Sequence, residues 1–166
     1  MVGYVVADTS VISRLTSQSA DCAAYQAMIG DLLLAVSFQT PAELLSFPFG
    51  PARRQRLDDL LAATVELPHS EATNVWYSRV VQTRATLKKA QLPGGDAQDG
   101  DAWIIGSSLE HSLDLLSHDA QQVHLGRAAG LRVFTNILSL RDNNPPPLAL
   151  RLRRSASAEL QDEATP

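Results

Sequence analysis

Short apolar runs of strand length alternate with helical patterns along most of this 166-residue chain. The first run, "GYVVA", is continuous and ends at an aspartate, and a second run, "LLLAVSF", is followed by the helix-starting segment "TPAELL". Continuous apolar runs are typical of strands buried on both faces, which occur in parallel sheets covered by helices. The alternation therefore predicts an α/β fold, in which a mostly parallel central sheet lies between two layers of helices.

The alternating pattern ends near residue 138. Residues 139–166 contain three consecutive prolines, a basic patch and a small-polar, acidic end. A segment of this composition buries too little apolar surface to offset the entropy lost on ordering. We therefore predict one domain over residues 1–138 and a flexible C-terminal tail over residues 139–166.

The overall composition narrows the class of protein. A hydrophobic fraction of 45% with 19% charged residues is ordinary for a soluble globular protein. The apolar run before Asp8 is too short for a signal peptide or a transmembrane helix, so we expect no membrane association. Cys22 is the single cysteine, which excludes an intrachain disulfide and a cysteine-based zinc cluster and favours a reducing cytoplasm.

The charge is unevenly distributed. The net charge of -4 argues against non-specific binding of nucleic acid by the whole surface. Seven of the fourteen basic residues nevertheless lie between Arg53 and Lys89. A locally basic face on an acidic protein is therefore expected.

Four carboxylates that are far apart in the sequence occupy related positions: Asp8, Glu43, Asp101 and Asp119. Three of them lie just past the carboxyl end of a predicted strand, and in an open parallel sheet those ends line a common crevice. Asp101 joins them if its helix packs with its amino end at the same edge. Each acid also has a local explanation: Asp8 and Asp119 as helix N-caps, Glu43 in a capping box with Thr40, and Asp101 in a solvated acidic loop.

Carboxylates crowded at one edge would repel each other and raise each other's pKa. A divalent cation removes that penalty, and Mg²⁺ or Mn²⁺ prefers oxygen ligands. Such a cation activates water and stabilises negative charge on a phosphoryl group. The acids, together with the basic span, therefore indicate phosphodiester hydrolysis.

Four segments in order carry a resemblance to a known family: "VVADTSVISRL", "TPAELL", "DGDAWIIGSSLEHSLDLLSHD" and "GLRVFT". Over roughly residues 2–137 the chain resembles PIN domains, and more narrowly the VapC toxins of bacterial type II toxin–antitoxin pairs. The resemblance implies a PIN-like three-layer fold and a cytoplasmic endonuclease that depends on Mg²⁺ or Mn²⁺. It further implies that single-stranded or loop RNA is the substrate, that a cognate antitoxin binds the protein, and that the protein forms a homodimer.

The resemblance also implies roles for individual residues. Its acidic cluster, which would form the catalytic site, corresponds to Asp8, Glu43, Asp101 and Asp119. Asp8 and Asp101 would bind the metal directly, whereas the other two acids would act through water. Ser10 would hydrogen-bond the cluster, and Ser117 would support Asp119.

Two details depart from the family pattern. Gly106-Ser107-Ser108 stands near the position where two alanines are common, and we expect this stretch to allow tight helix packing. Asp99 is a competing candidate for the third acid, but the spacing to Trp103 favours Asp101.

Three arginines are candidate RNA contacts: Arg14, Arg53 and Arg54. The alternatives are a solvated Arg14 and intrahelical pairs of the other two with Asp58 and Asp59. Two alternatives also stand beside the toxin hypothesis. The protein could be a PIN-fold RNA-processing nuclease without an antitoxin, or a catalytically inactive PIN-like interaction module.

Overall fold

The computed structural model describes residues 3–87 and 99–141. The strands in these ranges are β1 (Tyr4–Ala7), β2 (Leu33–Ser37), β3 (Val65–Leu67), β4 (Leu115–Leu116) and β5 (Val133–Phe134). The helices are α1 (Thr9–Leu15), α2 (Ala20–Ile29), α3 (Thr40–Ser46), α4 (Pro51–Ala62), α5 (Glu71–Thr86), α6 (Asp99–Glu110) and α7 (Ala120–Ala128). Most of the predicted tail, residues 142–166, lies outside the described residues.

The strands form one five-stranded sheet in the order β3-β2-β1-β4-β5, and every neighbouring pair is parallel. Strand β1 lies at the centre, where Val5 pairs with Leu34 of β2 and Val6 pairs with Leu115 of β4. The carboxyl end of β1 therefore lies between those of β2 and β4. The predicted α/β, PIN-like fold class is confirmed.

Both faces of the sheet are buried, because helices cover each of them. Successive side chains of a strand point to opposite faces, so neighbouring residues belong to different cores. Val5 belongs to a core cluster with residues of α1, α2, α3 and α4. Val6 belongs to a second cluster with residues of α5, α6 and α7. This three-layer arrangement explains why the strands are continuous apolar runs rather than alternating ones.

The helix ends follow local sequence signals. Asp8 caps α1 by accepting a hydrogen bond from the Val11 amide at 2.7 Å, and Asp119 caps α7. Ser70 caps α5 through the Thr73 amide. Helix α2 ends at Ile29, and its C-cap is Gly30, whose φ of 55° falls in the left-handed region that favours glycine.

One predicted cap is wrong. Helix α3 begins at Thr40 itself, Gln39 takes the N-cap position, and no side chain caps the helix. Thr40 Oγ1 is buried without a hydrogen-bond partner among the described residues. The predicted capping box with Glu43 therefore does not form, and the carboxylate of Glu43 has a different role.

The pattern from Ser70 to about Gln91 predicts one long helix, but α5 ends at Thr86. Residues 88–98 lie outside the described ranges. The segment "DAWIIGSSLEHS" predicts a helix that begins at Asp101, whereas α6 begins two residues earlier, at Asp99. It packs closely on α5 at Gly106, where a Cβ atom would lie 3.0 Å from the Tyr77 amide nitrogen. This confirms the expected tight packing of the small-residue stretch. Across the part of the chain that the structure describes, no helix is both long and apolar enough to span a membrane.

Candidate active site

A cleft of about 650 Å³ opens at the carboxyl edge of the sheet. All four predicted acids line it: Asp8, Glu43, Asp101 and Asp119. Its other lining residues are mostly polar and include Thr9, Ser10, Ser13, Arg14, Gln121 and Gln122. The sheet order explains this convergence, because three of the acids follow the adjacent strands β2, β1 and β4.

Asp8 is the most deeply buried of the four acids, with 2% of its surface exposed. Its Oδ2 accepts a hydrogen bond from Ser117 Oγ at 2.6 Å, and Ser10 Oγ lies within 2.8 Å of both carboxylate oxygens. Burial, with a smaller contribution from the negative charge of Asp119, raises the Asp8 pKa from 3.8 to about 6. The hydrogen bonds from Ser117, Ser10 and Val11 oppose this rise but do not cancel it.

The two serines connect Asp8 to the turn between β4 and α7. Ser10 Oγ accepts a hydrogen bond from the His118 amide at 2.9 Å, and Ser117 Oγ accepts one from the Asp119 amide at 3.0 Å. Each hydroxyl can therefore donate its proton to Asp8 while its lone pairs are used by the backbone. This arrangement fixes the Asp8 carboxylate relative to β1, which precedes it, and to β4, which precedes the turn.

Glu43 reaches across the cleft from α3. Its Oε2 accepts a short hydrogen bond from Thr9 Oγ1 on α1. Its Oε1 lies against α6, where a Cβ atom on Gly100 would come within 2.8 Å of it. The side chain is thus held between two other elements, and Gly100 leaves the space that this position requires.

The structure separates the two candidates for the third acid. Asp101 lines the cleft. The side chain of Asp99 is 72% exposed, and its Oδ1 pairs with Arg84 at 2.9 Å. Asp101 and not Asp99 therefore lies in the cleft lining, and the role of Asp101 as the third acid stays a prediction.

Asp119 combines a capping role with a position in the cleft. Its Oδ1 accepts hydrogen bonds from the amides of Gln121 and Gln122, at 2.7 Å and 3.2 Å. The side chain of Gln122 is buried, and its Oε1 lies 3.0 Å from Ser117 Oγ. Within the described ranges Gln122 Nε2 has no hydrogen-bond partner. The capping interpretation of Asp119 is therefore correct and compatible with a place in the cleft.

His118 lies behind the acids. Its Nδ1 is 2.9 Å from the hydroxyl of the buried Tyr25. Burial, followed by the positive charge of Arg14, lowers the His118 pKa. The ring packs edge-on against Tyr25 and supports the turn that carries Ser117 and Asp119.

The three candidate arginines have different positions. Arg14 lines the cleft, donates to the Ser10 carbonyl at 3.2 Å and pairs with Asp21 at 3.4 Å. Arg53 donates to the Ser13 carbonyl at 2.7 Å, and Arg54 donates to the carbonyl of residue 47 at 2.8 Å. Arg53 and Arg54 thus join α4 to α1 and α3, whereas the alternative expectation was pairing within α4. RNA contact by these side chains stays a prediction.

The sequence did not predict the cleft residues Thr9 and Gln122, nor Gly100, which lies against the Glu43 carboxylate. A glycine in the first turn of a helix, between two aspartates, is a signal for Gly100, because glycine is a poor helix former. Thr9 and Gln122 carry no such signal, since their roles depend on contacts between distant segments.

The donor chemistry of the cleft suits a hard divalent cation. Its acids offer carboxylate oxygens, and the raised pKa of Asp8 reflects a buried negative charge that a cation would stabilise. No three carboxylate, imidazole or thiol side chains within residues 3–87 and 99–141 are grouped so that they could hold a metal ion. Mg²⁺ commonly uses one or two carboxylates and retains several waters, so the residues present fit this type of site.

No protein-family profile and no curated protein sequence matches this chain. Solved structures match its fold. A chain of VapBC2 from Rickettsia felis, bound to a DNA fragment from its promoter, gives a TM-score of 0.59 at 12% identity, covering 80% of this chain and 98% of that one. VapBC-1 from nontypeable Haemophilus influenzae gives 0.58 at 20% identity, with coverages of 80% and 97%. FitAcB from Neisseria gonorrhoeae gives 0.55 at 20% identity, with coverages of 78% and 96%.

Proposed function

We propose that this protein is a Mg²⁺- or Mn²⁺-dependent endoribonuclease that acts as the toxin of a toxin–antitoxin pair. One observation carries the proposal: four acids from four separate elements line the same cleft at the carboxyl edge of the sheet. The fold supports it, because its solved neighbours include VapBC and FitAcB structures.

Asp8 and Asp101 are the proposed direct ligands of the metal ion, and Glu43 and Asp119 are proposed to interact with it through water. When bound, such a cation lowers the pKa of a water molecule and stabilises the charge that develops on a phosphoryl group.

The chain's own side chains position these groups. Ser10 and Ser117 hold the Asp8 carboxylate, so its oxygens do not need to reorganise during the reaction. The hydrogen bond from Thr9 fixes Glu43, which in this proposal orients the attacking water. Arg14 is the cationic side chain of the described cleft lining, and it is suited to contact a phosphate of the substrate.

We further propose that a cognate antitoxin covers the cleft, that the protein forms a homodimer, and that it acts in the cytoplasm. The antitoxin proposal is supported by the neighbouring structures, because VapBC-1 and FitAcB are toxin–antitoxin complexes. The acidic cleft would suit a basic segment of such a partner.

The test compares expression of the unmodified protein with that of the Asp8→Asn and Asp99→Asn variants. Both changes remove one negative charge, but only Asp8 lies in the cleft. We expect the unmodified protein and Asp99→Asn to arrest growth and to cleave RNA in the presence of Mg²⁺, and we expect Asp8→Asn to do neither.

The outcomes distinguish the hypotheses. Cleavage of RNA without growth arrest would indicate an RNA-processing nuclease rather than a toxin. Harmless expression of all three proteins, without Mg²⁺-dependent cleavage, would contradict the nuclease proposal and favour an interaction module.

A further inference from the structure

We propose that Phe47 forms a nucleobase subsite of the cleft, on which one base of a single-stranded RNA stacks. This inference rests on the proposed nuclease function and adds to it a residue that contacts one base of the substrate.

The position of Phe47 is the first argument. It directly follows α3, four residues after Glu43, and it lines the same cleft as the acids. Phe47 is 42% exposed, although large aromatic side chains usually bury most of their surface. The other large apolar residue of the lining, Ile104, is only 2% exposed. Phe47 therefore presents an aromatic surface to solvent in a wall that is otherwise polar.

The ring is also held in place from behind. It packs against Phe49 with the ring centroids 5.6 Å apart. The guanidinium of Arg53 lies 4.2 Å from the centroid of the Phe49 ring. Arg54 donates to the carbonyl of Phe47 at 2.8 Å, which fixes the backbone at this position. A ring that is already fixed loses little conformational entropy when a ligand stacks on it.

The surroundings favour a nucleobase over a protein side chain. A protein partner would require a contiguous apolar area, whereas the cleft lining that includes Phe47 is mostly polar and contains Ser13, Ser46 and Gln121. A base needs one flat aromatic surface, and nearby hydroxyl and amide groups can contact its sugar and phosphate. Bases in a duplex are stacked on each other, so the subsite selects unpaired RNA.

The experiment measures binding of a fluorescently labelled, short single-stranded RNA to the full chain carrying Asp8→Asn, which prevents cleavage. We expect Phe47→Ala in this background to weaken binding by roughly 5- to 150-fold, the range for loss of one stacked base. Phe47→Trp should retain binding. Phe47→Leu, which keeps apolar packing on Phe49 but lacks an aromatic face, should weaken it.

A matched control is Leu45→Ala. Leu45 lies on α3, two residues before Phe47, and is 56% exposed, but it is not part of the cleft lining. Its replacement should leave RNA affinity unchanged. An RNA in which the stacked base is removed should bind the background protein and its Phe47→Ala variant with equal affinity, whereas the intact RNA should distinguish them.

Two failures can be separated. If the unmodified protein cleaves RNA but Phe47→Ala and Phe47→Leu bind it as tightly as their background, the subsite is wrong and the nuclease proposal stands. If the protein neither cleaves nor binds RNA, the nucleobase subsite and the nuclease proposal are both wrong. If the Phe47 variants lose binding of a purified antitoxin and keep RNA affinity, the ring contacts protein and the nucleobase subsite is rejected.

Discussion

Replacement of Asp8 by asparagine should stabilise the metal-free protein at neutral and alkaline pH, although it should abolish activity. The reason is the burial of the Asp8 carboxylate, which raises its pKa from 3.8 to about 6. A shift of about two pKa units corresponds to about 3 kcal/mol of unfolding free energy.

The sign follows from the direction of the shift. Because the folded-state pKa lies above the unfolded one, the folded protein binds the Asp8 proton more tightly. The stabilisation from protonated Asp8 is fully present below about pH 4 and is lost as the pH rises to about 6. Asparagine has nearly the same shape, stays neutral, and can still accept the hydrogen bond from the Val11 amide.

The assay is chemical denaturation in the presence of a metal chelator, from about pH 4 to about pH 8. We expect the unfolding free energy of Asp8→Asn to exceed that of the unmodified protein by up to about 3 kcal/mol at about pH 8. At about pH 4 the two unfolding free energies should be equal. Asp99→Asn, whose side chain is exposed, should follow the unmodified protein throughout. If Asp8→Asn were equally or less stable at pH 8, the hydrogen bonds to Asp8 would outweigh its burial, and our reasoning would be wrong.

Three further substitutions test other parts of the structure. Gly106→Ala places a Cβ atom 3.0 Å from the backbone of α5, so we expect a loss of about 1–3 kcal/mol in denaturation experiments, and unchanged stability would contradict the close packing. Gly100→Ala should displace the Glu43 carboxylate, reducing RNA cleavage while thermal stability is retained; full activity would show that this carboxylate tolerates movement. Asp21→Asn removes the ion pair that orients Arg14, and we expect weaker RNA binding in anisotropy measurements with little change in stability. Unchanged affinity would argue against a phosphate contact by Arg14.

The sheet and the position of the cleft could be predicted from the sequence because their signals are local. The run "YVVA" is apolar at every position, so it requires cover on both faces, and Asp8 follows it directly. The same logic places Asp119 after β4. Because parallel strands end at one edge, separate local patterns together predicted a shared cleft.

The environment of Glu43 could not be predicted in this way. Thr40 and Glu43 have the spacing of a capping box, but α3 starts one residue earlier than a Thr40 cap requires. The carboxylate is instead held by Thr9, which is 34 residues away in the sequence. Tertiary contacts of this kind leave no periodic or capping pattern, and the same applies to the contact of Gly100 with Glu43.

The arginines show a further limit of sequence reasoning. The sequence predicted either substrate contacts or intrahelical pairs for Arg53 and Arg54. In the structure, both donate to backbone carbonyls of neighbouring helices, Arg53 to Ser13 of α1 and Arg54 to Leu45 of α3. Charge patterns along one helix do not reveal which exposed carbonyl groups an adjacent helix end will present.

The central claim is that carboxylates of the cleft support metal-dependent RNA cleavage, and the pair Asp101 and Asp99 tests it most directly. The rate of cleavage of a single-stranded RNA is measured with Mg²⁺ for the unmodified protein, Asp101→Asn and Asp99→Asn. We predict that Asp101→Asn lowers the rate by roughly two orders of magnitude or more, since it removes a proposed metal ligand. Asp99→Asn should cleave at nearly the unmodified rate, because Asp99 pairs with Arg84 on the exposed side of α6. Equal rates for the two variants, or cleavage that persists in a metal chelator, would contradict the claim.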